Sequence, residues 1–206
     1  MGSSEGTFAA LARQRCPAVG DVLLVMTGAF QQVDLDAMDA RLDELARPLF
    51  DVPASARAGR LAEQLARFSL DERSVAGLWL DDVVRSERGH PMLVAAVGAE
   101  LGRRAGLDAG VFSTPTVWYT GVLDGERLWL IDLAEPTADS AAPRQLRRHC
   151  GHELAFAALS GLAARFTGPD ADRLRRRAAH LRDLLSLRPS VEAPGPDLLA
   201  TLWPAE

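Results

Sequence analysis

GHPMLVAAVGAELGRRAGLDAGVFSTPTVWYTGVLDGERLWLID, residues 89–132, is the stretch that decides the fold. Pro91 sits where a first helical turn tolerates proline, because its missing N–H would have no partner there. Behind it Leu93, Val94, Val97 and Leu101 recur at helical spacing, and Gly106 stops the helix after Arg103 and Arg104. Two strand-like runs follow, Thr116 to Leu123 and Arg127 to Asp132, joined at Asp124-Gly125, the dipeptide that a tight hairpin turn favours. The stretch therefore predicts a buried helix, a short strand and a hairpin that ends on an acid.

The surrounding composition sets limits on function. The chain has 206 residues, 48% of them hydrophobic and 25% charged, the mix of an ordinary globular protein with length enough for a real core. No run approaches the roughly 20 apolar residues of a membrane span, and the start, MGSSEGTF, has neither a basic segment nor an apolar signal core. A cytoplasmic, soluble protein is expected. All basic residues are arginine, with no lysine and no asparagine in the chain, which reflects codon usage rather than chemistry. A net charge of -5 argues against nucleic-acid and anionic-membrane partners, which need a basic face. Cys16 and Cys150 could pair in principle, but without a secretion signal buried thiols are expected instead.

Upstream of the central stretch the pattern is helical. A lead-in helix is expected around Phe8 and Leu11, and a buried one over Val19 to Phe30. Asp34 offers an N-cap to an amphipathic helix carrying Leu35, Met38, Leu42, Leu45 and Leu49. Pro53 opens another helix with Leu61, Leu65 and Phe68, and a short one covers Asp81 to Arg88. Downstream, Ala134 to Pro143 reads as a linker. Two helices, His152 to Phe166 and Asp170 to Leu187, then form an αα-hairpin across Gly168-Pro169. The tail beyond Ser190 ends in Leu198, Leu199, Leu202 and Trp203, which are expected to dock back on the body.

This order resembles the SirB-type transglutaminase-like proteins, across about residues 8 to 190. The matching pieces are Leu80-Asp81-Asp82-Val83-Val84, Arg88-Gly89-His90-Pro91, Arg103-Arg104-Ala105-Gly106-Leu107, Gly110-Val111, Leu130-Ile131-Asp132 and Leu184-Leu185-Ser186-Leu187-Arg188-Pro189. The resemblance implies an α+β, mostly helical fold. It comprises an N-terminal helical region (1–88), a reduced papain- or transglutaminase-like core (89–133), and a C-terminal tetratricopeptide-like helix pair with its tail (144–206). It also implies a site: a nucleophile at the start of the central helix, where a helix N-terminus favours a thiolate and offers N–H groups to an oxyanion. A histidine base stands on the next strand and an orienting acid on the one after. Aligned without gaps, the nucleophile position holds Leu93 and the histidine position Val117; only Asp132 fits its role. Leucine cannot attack a carbonyl and valine cannot carry a proton.

The expectation is thus a catalytically inactive protein that binds another protein through the former cleft, at His90, Leu93, Thr116, Val117, Trp118 and Asp132, or through the C-terminal helix pair. No cofactor and no metal are expected. His90 is a helix-entry histidine hydrogen-bonded locally, or alternatively a relocated base; Asp132 is a turn-forming acid. His149-Cys150-Gly151-His152 invites a zinc reading, but structural zinc needs four ligands, so a helix-start cluster with a buried Cys150 is expected. Arg173, Arg175, Arg176 and Arg177 read as a solvated face balanced by Asp170, Asp172 and Asp183, or else as a docking surface for an acidic partner. Two further readings are a hydrolase or acyl transferase with relocated groups, and a small-molecule binder using the emptied cleft.

Overall fold

The computed structural model describes residues 4–15, 17–125, 127–139 and 145–186. In chain order these form α1 (Ser4–Ala12), α2 (Val19–Gly28), α3 (Leu35–Ala46), α4 (Arg57–Leu65), β1 (Ser69–Leu70), α5 (Leu80–Ser86), β2 (Arg88–Gly89) and α6 (Pro91–Arg104). They continue with β3 (Asp108–Ser113), β4 (Trp118–Asp124), β5 (Arg127–Asp132), β6 (Ala138–Asp139), β7 (Arg147–His149), α7 (Gly151–Arg165) and α8 (Ala171–Ser186). The fold is α+β and mostly helical, with a small antiparallel sheet. No helix among the described residues is long and apolar enough to cross a membrane. Cys16 and the tail residues Leu198 to Trp203 lie outside the described residues.

The chain divides into two compact units that cut across the three consecutive segments expected from sequence. Among the described residues, the first joins those up to Val33 to those from Cys150 onward, and the second comprises those from Asp34 to His149. The reason is long-range packing in the first unit: α2 lies on α7 and α1 on α8. There α7 and α8 form the expected helix pair, with Leu154, Leu159, Leu162, Ala178, Leu181 and Leu185 all buried. Phe8 and Met26 join them with no exposed surface, and the rings of Phe30 and Phe166 meet at 5.9 Å.

The second unit is built on α6. Twelve of its fourteen residues are buried, all of them apolar or glycine except Glu100, as suits a helix through the middle of a core. On one flank α3, capped by Asp34 through the Ala37 N–H (3.0 Å), is tied to α6 by Arg104. That guanidinium reaches Asp39 (2.5 Å), Asp43 and Glu100 (2.9 Å). On the other flank lies the five-stranded antiparallel sheet in the order β6-β5-β4-β3-β7. Side chains alternate along β4. Trp118, Thr120 and Val122 are buried, and the Thr120 hydroxyl donates to the Ala95 carbonyl of α6 (3.1 Å), which fixes this as the face toward the helix. Gly98 meets Thr120, and Gly102 meets Ala109, the partner of Val122. The helix therefore starts toward the Trp118 end of β4.

Four short strands depart from the sequence reading. The expected linker Ala134–Pro143 contains β6, which pairs with β5. His149, expected at a helix start, instead ends β7, which pairs with β3. Finally, β1 and β2 form a two-residue parallel pair, Ser69 with Arg88 and Leu70 with Gly89.

That parallel pair anchors the entrance to α6. Asp71 Oδ1 accepts the N–H groups of Arg73 and Ser74 (3.1 Å each), and Arg88 Nε donates to Oδ2 (3.0 Å). The loop so shaped brings the Gly77 carbonyl to the His90 N–H (2.9 Å). Burial pushes the Asp71 carboxyl up, but the two N–H groups and the Arg88 charge outweigh it and hold the group below its ordinary value. A depressed carboxyl contributes stability that is present above its unfolded pKa and is lost as pH falls through the folded one. Asp71→Ala is therefore expected to cost roughly 1 kcal/mol at neutral pH. The gap from wild type should close as pH drops below ~4, measured as urea midpoints across that range.

Candidate functional site

The start of α6 is where the resemblance would place a nucleophile. His90 is extended (φ -60°, ψ 138°) and caps the helix: its Nδ1 accepts the Met92 N–H at 3.2 Å. The Leu93 and Val94 N–H groups both donate to the His90 carbonyl, at 2.8 and 3.0 Å. Pro91 has no N–H. Every amide of the first turn that could stabilise an oxyanion thus already has an acceptor within the chain. His90 is 3% exposed and Leu93 0%.

The β3–β4 hairpin turns on Pro115-Thr116. The Thr114 N–H donates to the Val117 carbonyl (2.9 Å), and Thr114 Oγ1 accepts the N–H of Val117 (3.1 Å). Trp118 points to the α6 side and is 8% exposed. By alternation Val117 and Tyr119 point to the opposite side, where Tyr119 stands directly across from Asp132. Asp132 is half-buried and its Oδ1 accepts the Ala134 N–H (2.8 Å), forming a turn. Burial raises the Tyr119 phenol, the Asp132 charge raises it further, and a hydrogen bond with Thr114 works the other way.

The three positions aligned with a catalytic triad are therefore not assembled. Leu93 belongs to the helix layer, whereas Val117 and Asp132 lie on the sheet face turned away from it. Of the six residues expected to bind a partner, His90, Leu93 and Trp118 are buried in the core and cannot present a surface. Thr116 is exposed, and Val117 and Asp132 are half-buried. That far face also carries Tyr119, Leu123 (41% exposed) and Leu128.

A histidine contact that sequence proximity concealed lies on the α6 side of the sheet. Ser113 Oγ and His149 Nε2 are 2.8 Å apart, and the His149 ring lies 5.0 Å from that of Trp118. The distance suits a hydroxyl and its base. Ser113 is only 2% exposed and His149 4%, so the pair lies within the core. Only β-pairing brings residues 113 and 149 together; the three residues of β7 are too few to show a period.

His149 closes β7, whereas Cys150 and His152 open α7. Cys150 is half-buried rather than buried. Its N–H donates to Glu153 Oε2 (3.0 Å), its side chain takes the Glu153 N–H in return, and its sulfur lies 3.9 Å from His152 Nδ1. Among the described residues no three His, Cys, Asp or Glu side chains gather as a metal site. Three of the four clustered arginines of α8 have partners within the first unit. Arg173 pairs with Asp170, Arg175 with Asp172 and the Phe166 carbonyl, and Arg177 lies over the Phe30 ring at 5.9 Å. No protein-family model and no curated protein matches the chain.

Proposed function

We propose that the protein is a catalytically inactive transglutaminase-like protein that acts by binding another protein. The observation that carries this reading is the closed start of α6. Leu93 stands in the nucleophile position without exposed surface, and the first-turn amides are taken by His90. An acyl-transfer site needs an accessible nucleophile and unused N–H donors where charge develops. Helix, hairpin and terminal acid in this order support the papain- or transglutaminase-like assignment of the core.

The surface offered for binding is the sheet face opposite α6, where Val117, Tyr119, Leu123 and Leu128 form an apolar strip with Asp132 at its end. Apolar side chains grouped on one exposed face mark interaction sites more often than scattered ones do. The test is affinity capture from a lysate of the source organism with wild type and with Val117→Asp/Leu123→Arg, at matched melting temperatures. The reading predicts a saturable protein partner that the double variant loses. Equal recovery by both baits, or no saturable partner, contradicts it.

A second reading, a transferase or hydrolase with relocated groups, rests on Cys150. A sulfur at a helix start, 3.9 Å from an imidazole nitrogen, has a nucleophile and a base side by side. It ranks second because His152 is 1% exposed and the pair meets solvent only through the half-buried Cys150.

A further inference from the structure

A cleft of about 440 Å³ opens in the second unit between α4, the loop before it, and strands β5 and β6. Its size falls within the range of small-molecule sites. One wall is the half-buried indole of Trp129, continued by Ala138; the facing wall is Ala56, just before α4, and Gly59 in its first turn. A β-carbon on Gly59 would meet nothing within 4 Å, so the absence of a side chain there leaves this part of the cleft open without serving the packing. Arg60 and Glu63 supply its charges, and they pair with each other at 2.5 Å.

We propose that this cleft binds a free apolar or aromatic α-amino acid as its zwitterion. A ligand with a carboxylate alone would be drawn to Arg60 and repelled by Glu63; one with an ammonium alone meets the reverse. A zwitterion satisfies both, because its two charges are separated by one carbon and face residues one helical turn apart that already touch. The Arg60–Glu63 pair is solvent-exposed, and exposed pairs hold weakly, so a ligand splits it at little cost. The ligand side chain then lies in the trough between Gly59 and the Trp129 ring, where aromatic stacking adds to burial. A peptide terminus carries only one of the two charges, which distinguishes the free amino acid from a chain end. The site is built from elements other than the start of α6 and stands independently of the protein-binding reading.

The experiment is a titration of the full chain with three probes of one shape: L-phenylalanine, 3-phenylpropionate and 2-phenylethylamine. Binding is followed by NMR at the Trp129 indole N–H and the Gly59 amide. L-phenylalanine is expected to bind more tightly than either single-charge probe, by about 2- to 5-fold for each charge. Gly59→Leu, which fills the open trough with a better helix former, should abolish the shifts while leaving the melting temperature unchanged or raised. Arg60→Gln should remove the preference for phenylalanine over the amine. Equal binding of all three probes, shifts that persist in Gly59→Leu, or no shift at Trp129 and Gly59 overturns the proposal.

Discussion

Leu93→Ala is expected to lower the unfolding free energy by about 2–5 kcal/mol, the range for truncating a fully buried leucine. Leu93 is 0% exposed, and its helix neighbours Met92, Val94 and Val97 are buried at 0–1%. The loss combines transfer of the removed methyls with the cavity they leave, because a central helix held on both flanks cannot collapse into the gap. Leu93→Met, which keeps the volume, should cost less than about 1.5 kcal/mol. Urea unfolding of the three proteins gives the comparison. If position 93 instead faces a cleft, alanine will cost less than 1 kcal/mol and methionine will offer no advantage.

The second large effect is at Gly98. In an exposed helix alanine would gain about 1 kcal/mol over glycine. Here a β-carbon would overlap Thr120 Oγ1 and come within 2.7 Å of Leu65 Cδ1 and 3.0 Å of Thr120 Cγ2. The leucine end can move, but the threonine cannot turn away freely. Thr120 is 0% exposed and its hydroxyl donates to the Ala95 carbonyl, so rotation would leave a buried hydroxyl without its acceptor. Gly98→Ala is expected to destabilise by about 1–3 kcal/mol in spite of the propensity gain. A melting temperature equal to or above that of wild type would mean that α6 and β4 leave room for a β-carbon at position 98.

Local signals in the chain carried the central elements. The apolar period of Leu93, Val94, Val97 and Leu101 marks α6, and Gly106, at φ 77°, stops it as a left-handed cap. Asp124-Gly125 marks the β4–β5 turn, and the helix pair α7–α8 follows its leucines. His90 is the helix-entry histidine that its place before Pro91 implied. What local patterns could not supply is pairing at a distance. The strands β6 and β7 have two and three residues, too short for an alternation to be visible, and they exist because β5 and β3 offer them edges. The same cause hid the Ser113–His149 contact and placed His149 on a strand rather than at a helix start. The face assignments of Trp118 and Val117 were also beyond a gap-free alignment. Alternation says that the two point apart, but only the Thr120–Ala95 hydrogen bond says which one meets the helix.

The central claim, that the start of α6 holds no working acyl-transfer site, is tested most directly by turnover. Wild type, His90→Ala, Asp132→Asn and Cys150→Ser would each be incubated with p-nitrophenyl acetate, and with a glutamine-containing peptide plus a primary amine. Product and any covalent adduct would be read by mass spectrometry. The account predicts product at the protein-free rate for all four proteins and no stoichiometric acyl-enzyme. Turnover by wild type that disappears in His90→Ala or Asp132→Asn would contradict it, whereas turnover lost only in Cys150→Ser would place an active site at the start of α7 and favour the second reading.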